Sequence, residues 1–156
     1  MRTALIAAFA LTLIGAPAMA QADLETRNRQ TIQTAFDAWS AGTGGPFDLL
    51  AEDARWTIVG RSEAAGTYAT KAEFIDKVIA PFNARMVAGI RPTIRNLYAD
   101  GDTVIVFFDA SGEARDGRPY VNTYAWFMML EGDHVTRVSA FFDSIAFDDL
   151  WRRVAP

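Results

Sequence analysis

The sequence predicts an α+β fold in which one curved antiparallel sheet wraps around N-terminal helices. Three observations carry that prediction. Four strand-like runs follow one another through the second half of the chain: Thr93–Tyr98, Thr103–Ala114, Pro119–Leu130 and Val135–Phe142. Asp100-Gly101, Asp116-Gly117 and Glu131-Gly132-Asp133 separate them, and these sequences suit tight turns that need positive φ. Two of the runs, Thr103–Ala114 and Pro119–Leu130, are about twice the usual strand length of ~5–6 residues. The first half of the chain is largely helical in its spacing, so the long strands have helices to curl around and a pocket to enclose.

The first twenty residues are set aside as a signal peptide. Arg2 supplies the positive start, Ala4 to Ile14 is apolar, Gly15 and Pro17 break the run, and Ala18-Met19-Ala20 is a cleavage site. The run is too short to cross a hydrocarbon core of ~30 Å. Secretion, most naturally to a bacterial periplasm, is the expected fate, with one domain over residues 21–156.

Asp23 to Ala41 reads as an amphipathic helix, with Ile32, Ala35, Phe36 and Trp39 along one stripe. Gly42-Thr43-Gly44-Gly45-Pro46 ends it. Phe47, Leu49 and Leu50 fit a short second helix, and Trp56 to Gly60 a first strand. Thr70-Lys71-Ala72-Glu73 is a capping box opening a helix that buries Phe74, Ile75, Val78, Ile79 and Phe82. Pro81 kinks or ends that helix. After the four-strand meander comes a short helix around Asp148 to Arg153.

Composition narrows the function. The net charge of −4, without a basic run, argues against nucleic acid, whose phosphates demand clustered cations. With no cysteine there is neither a disulfide framework nor a thiol nucleophile. The single histidine, His134, sits in a turn and cannot build a metal site alone. Phosphate-loop, dinucleotide and zinc-protease motifs are missing, and no serine has the context of a hydrolase nucleophile. No cofactor or metal is therefore expected.

The element order, with Trp56-x-Ile58-x-Gly60, Gly66-Thr67-Tyr68-x-x-Lys71-x-x-Phe74, Gly117 to Trp126 and Asp133 to Asp143, resembles the NTF2-like superfamily and its SnoaL-like branch. The resemblance covers nearly the whole chain after the leader. It implies a cone-shaped sheet, a hydrophobic pocket within it and a homodimer through the sheet's outer face. Alternation supports pairing independently: Val104, Val106 and Phe108 share one face of a strand, while Ile105 and Phe107 make the other apolar too.

The resemblance also discriminates among activities. Where the steroid isomerases of the superfamily carry a Tyr and two Asp, this chain has Phe36, Val59–Gly60 and Asn122–Thr123. The Arg-x-Asp tripeptide of the epoxide hydrolases is missing. The late carboxylate base of the SnoaL-type polyketide cyclases matches Asp143, the one catalytic assignment that carries over.

Asp143 follows Phe141 and Phe142, and desolvation among aromatics would raise its pKa towards that of a general base. The competing reading is an Asp that caps the next turn through Ser144 or Ile145 amides. Asn122, Tyr124 and Trp126 share a strand face and are candidates to bind a ligand, or else core packing. Thr123, Ala125 and Phe127 then face the partner subunit or a helix. Trp56 and Tyr68 are further pocket candidates. Asp109, with Ile105 and Phe107 by parity, is either inward and paired or outward as an edge device.

The functional expectation is a domain binding a small hydrophobic or amphipathic ligand in its cone. It would either run cofactor-free isomerase, cyclase or hydratase chemistry on it or serve as a non-catalytic carrier or sensor. A dimeric interaction module with a self-filled cavity is the third alternative.

Overall fold

The computed structural model describes residues 15–156. Most of the expected signal peptide lies outside the described residues. Helix α1 (Gly15–Ala41) is followed by a single 3-10 turn, Pro46–Leu49, and strand β1 (Leu50–Ile58). The turn replaces the expected second helix, and β1 begins six residues before Trp56. A short strand β2 (Gly66–Tyr68), which three residues of sequence could not announce, pairs antiparallel with β1.

The next helical segment is continuous but irregular: α2 (Lys71–Phe74), a π-helical turn (Ile75–Ile79) and α3 (Ala80–Ala84). Thr70 Oγ1 accepts from the Glu73 amide at 3.1 Å, and Glu73 reaches back to the Ala69 amide at 2.7 Å. The cap forms as the sequence pattern predicts, one residue wider on its return side. Pro81 does not end the helix. The widened turn precedes it, with the Ala80 amide bonded five residues back to Ile75, so the proline sits just inside a fresh helical start.

The meander consists of β3 (Arg91–Asp100), β4 (Thr103–Glu113), β5 (Pro119–Glu131) and β6 (His134–Phe142), and α4 (Ser144–Arg153) closes the chain. Gly101, Gly117 and Gly132 have φ of 59°, 79° and 62°, the left-handed backbone the turn sequences predict. The sheet is curved and open, in the order β2-β1-β6-β5-β4-β3. All its pairs are antiparallel except β1 with β6.

The even-numbered residues of β4 and β5 face the helices. Val104, Val106 and Phe108 are buried, as are Tyr120, Asn122, Tyr124, Trp126 and Met128. Ile32, Ala35 and Phe36 of α1 pack onto them, with the Phe36 and Phe108 rings 4.9 Å apart. At the other end of α1, Glu25 accepts from the Gly101 amide at 3.0 Å and Asn28 donates to the Gly101 carbonyl at 3.3 Å. The helix is thus tied to the β3–β4 turn, and that amide lowers the Glu25 pKa. No described helix is long and apolar enough to cross a membrane.

Candidate functional site

Between the sheet's inner face and the helical cover lies a cavity of about 500 Å³. The sheet supplies Trp56 and Ile58 from β1, Tyr124 and Trp126 from β5, and Ala140 and Phe142 from β6. Opposite them stand Trp39 of α1, Phe47 and the Phe74, Val78, Ile79 and Phe82 series. The period of that helix turns these apolar positions inward, as the sequence predicts. The rings are mutually braced: Trp56 stacks on Phe74 at 4.1 Å and meets Trp126 edge-on at 4.9 Å, and Trp39 lies parallel to Trp126 at 5.8 Å. Such pairs favour a preformed wall over a collapsed one.

The polar complement of this apolar chamber is small. The Tyr124 and Tyr120 hydroxyls are 2.8 Å apart, and Asn122 Nδ2 donates to the Tyr120 hydroxyl at 2.8 Å. Burial pushes the Tyr120 phenol up to about 12 and Tyr124 well above its ordinary value. Both therefore stay protonated near neutrality and can donate hydrogen bonds. The Trp56 indole N–H is buried without a hydrogen-bond partner among the described residues.

Asn122 is inward and 3 % exposed, yet it does not line the cavity. Its amide is spent on the backbone: Nδ2 also donates to the Asp143 carbonyl at 2.9 Å, and Oδ1 accepts from the Asp143 and Thr123 amides at 2.9 and 2.7 Å. It joins the end of β6 to β5. This explains an asparagine in mid-strand without any ligand.

Asp143 is exposed and caps α4, its Oδ1 accepting from the Ile145 and Ala146 amides at 2.9 and 3.4 Å. The desolvated setting inferred from its aromatic neighbours is not what the backbone provides. Phe141 points out of the sheet, Phe142 points in, and the chain turns before Asp143 can follow. Asp109 lies outside as well. It accepts from Arg95 Nε and Thr123 Oγ1, both at 2.6 Å, on the face away from the cavity. Parity decides this, since residues 104, 106 and 108 fill the core and 109 falls out of phase. Tyr68 is half-buried behind Phe74 and donates to the Ala64 carbonyl at 2.8 Å, away from the lining. Trp56, Tyr124 and Trp126 are thus brought together, whereas Asn122, Tyr68, Asp109 and Asp143 are not.

Sequence reasoning missed the mouth. Asn83, the Met86–Ile90 loop, Arg91 and Arg115 line it, and Phe147 of α4 completes the lining. Arg115 follows Ala114, whose bridge to Met86 brings the β4–β5 turn to this loop. Arg91 opens β3 opposite Ser111. Gly112 between them offers the one local signal, a glycine interrupting a long strand, which marks a close backbone approach. Among the described residues no carboxylate lines the cavity, and no group of acids and His134 is arranged to hold a metal.

The family model of the SnoaL-like domain matches residues 32–138. Bal32a from a soil-derived mobile gene cassette superposes with a TM-score of 0.68 at 19 % identity, covering 82 % of this chain and 98 % of its own. A protein from Jannaschia sp. CCS1 classed with the SnoaL-like polyketide cyclases gives 0.63 at 19 % identity, with coverage of 83 % and 94 %. TerC co-crystallized with polyporic acid gives 0.63 at 20 % identity, with coverage of 80 % and 98 %. At these identities the likeness is one of fold. A search of curated proteins found no match.

Proposed function

Since the chain belongs to the SnoaL-like domain family, we propose that it binds one small apolar or amphipathic molecule inside its cone. The observation that carries this reading is the cavity of about 500 Å³ with a braced aromatic wall. A volume above roughly 300 Å³ is in the range of small-molecule sites, which weighs against a self-filled interaction module.

Carriage or sensing is favoured over base-catalysed conversion. The cavity has no carboxylate in its lining, and Asp143 already serves the α4 amides. A catalytic version would rely on the Tyr124 hydroxyl to polarise a carbonyl, without a base beside it. Native mass spectrometry before and after denaturation tests the binding reading. A co-purified molecule lost on denaturation supports it. An apo protein that also takes up no polyporic acid, the compound in the TerC co-crystals, and no other apolar compound offered at its solubility limit rejects it.

Two further parts of the reading concern where the chain works. The charged start, apolar run and Ala18-Met19-Ala20 support export to a bacterial periplasm, and an intact mass beginning at Gln21 is the test. Homodimerisation through the outer sheet face is supported by a cross-strand patch, where Tyr98, Ile105 and Phe127 lie in register and Phe141 packs on Phe127 at 5.9 Å. Phe127 and Phe141 are 38 % and 44 % exposed. Light scattering should give a dimer mass that Phe127→Glu reduces to a monomer. A monomeric parent chain would remove this part of the reading.

A further inference from the structure

We infer that the cavity's ligand carries an anionic head, held at the mouth by Arg115 and Arg91, with its apolar body inserted towards Trp56 and Trp126. This rests on the ligand-binding reading above and adds the ligand's charge and direction.

The lining is polarised. Its deep part is apolar and aromatic, and its charged side chains are Arg91 and Arg115, both exposed at one end. That pattern occurs in a chain whose net charge is −4, so it does not follow from composition. Neither guanidinium has a carboxylate within 4.0 Å among the described residues. Arg115 spends its Nε on the Met86 carbonyl at 3.4 Å, and its two Nη groups have no protein acceptor there. Arg91 makes one long bond of 3.5 Å to the Trp39 carbonyl.

The neighbouring acids do not neutralise them. Asp116 is engaged by Arg153 and by the Arg118 amide, which lowers its pKa, and Glu113 forms no ion pair with Arg115. A third cation adds to the field. Arg85 is 6 % exposed, donates only to the Pro81 and Trp151 carbonyls at 2.8 and 3.3 Å, and lies 4.0 Å over the Trp151 ring. The Arg85 carbonyl in turn accepts from the Arg115 amide at 2.9 Å, so both cations belong to one rigid corner. Unpaired cations beside a low-dielectric chamber attract an anion more strongly than they would in open water. The planar fork of Arg115 suits a carboxylate or sulfonate held by two parallel bonds.

A matched pair of fluorescent probes isolates the charge. N-phenyl-1-naphthylamine and 8-anilino-1-naphthalenesulfonate share one apolar skeleton and differ in the sulfonate. Each is titrated into the folded chain at low and at physiological salt, read by energy transfer from the tryptophans. Arg115→Gln and Arg115→Lys are compared, with circular dichroism confirming folding. The sulfonate should bind more tightly than the neutral amine, and Arg115→Gln should weaken it about tenfold while leaving the amine unchanged. Arg115→Lys should recover part of the loss, and salt should weaken the sulfonate alone. If the amine binds at least as well and Arg115→Gln affects neither, the anionic assignment is wrong while the cavity reading survives. If neither probe binds, both are overturned.

Discussion

A β-carbon added to Gly112 would lie 2.5 Å from the Gly89 carbonyl oxygen. The same carbon would also press on Met86 and Ile90, at 3.0 and 3.2 Å. Gly112 is therefore the gap through which the Met86–Ile90 loop lies down on the sheet and closes one end of the cavity. Gly112→Ala should cost about 1–3 kcal/mol in urea unfolding, since the obstruction is backbone and cannot rotate away. It should also displace the mouth and weaken any cavity ligand. Unchanged stability would show that the loop approaches less closely than described.

Asn122 provides a contrasting kind of constraint, a buried amide whose partners are mainly backbone groups. Asn122→Ala takes the Asn122 acceptor from the Thr123 amide, leaves the Asp143 amide only its 3.3 Å bond to the Thr123 carbonyl, and frees the Tyr120 hydroxyl from its donor. Leaving buried polar groups unpaired costs about 1–3 kcal/mol each, so a loss of at least that size is expected in thermal or chemical unfolding. Hydrogen exchange should accelerate at the β5–β6 junction before it does at β3–β4. Uniform acceleration would mean that Asn122 is not the local tie.

The role of Asp143 separates cleanly into cap and catalyst. Asp143→Ala should destabilise the chain by about 0.5–2 kcal/mol, and Asp143→Asn by much less, because asparagine caps as well. Neither should alter affinity for a ligand of the cavity. A folded Asp143→Asn protein that binds its ligand normally but has lost a turnover seen in the parent would restore the base assignment.

On the outer face, Asp109 predicts a pH response. The Thr123 hydroxyl, and after it Arg95, hold its carboxyl below the ordinary 3.8. A carboxylate depressed in the folded state stabilises the fold above its unfolded pKa, and the benefit fades as pH falls through the folded value. Carboxyl-carbon NMR should place its midpoint below 3.8, and Asp109→Asn should flatten the acid limb of the stability curve slightly. The effect stays small because water reaches both partners. A midpoint at or above 3.8 would contradict the pairing.

Much of this architecture was legible from residues close together in the chain. The acidic-glycine turns, the Thr70–Glu73 cap and the inward series of Val104, Val106 and Phe108 are local patterns, governed by backbone sterics and side-chain period. The same periodicity put Tyr124 and Trp126 on the cavity side. What it could not supply was the length of any one side chain's reach, or which backbone groups a buried amide would find.

Those outcomes are non-local. The parallel pairing of β1 with β6 joins Trp56 to Val138, and only that pairing brings Trp56 against Trp126. Asp143 became a cap because the chain turns immediately after Phe142, and Asp109 met Arg95 because β3 carries a register shift at that point. Arg91 and Arg115 are distant in sequence and line one cavity because the α3–β3 loop folds onto Gly112, where the Arg115 amide also bonds the Arg85 carbonyl. The sequence by itself determined the long elements and their inner faces, through short-range sterics and hydrophobic period. The tertiary structure decided which polar groups remained free to meet a ligand, because that depends on what every other buried group has already bonded.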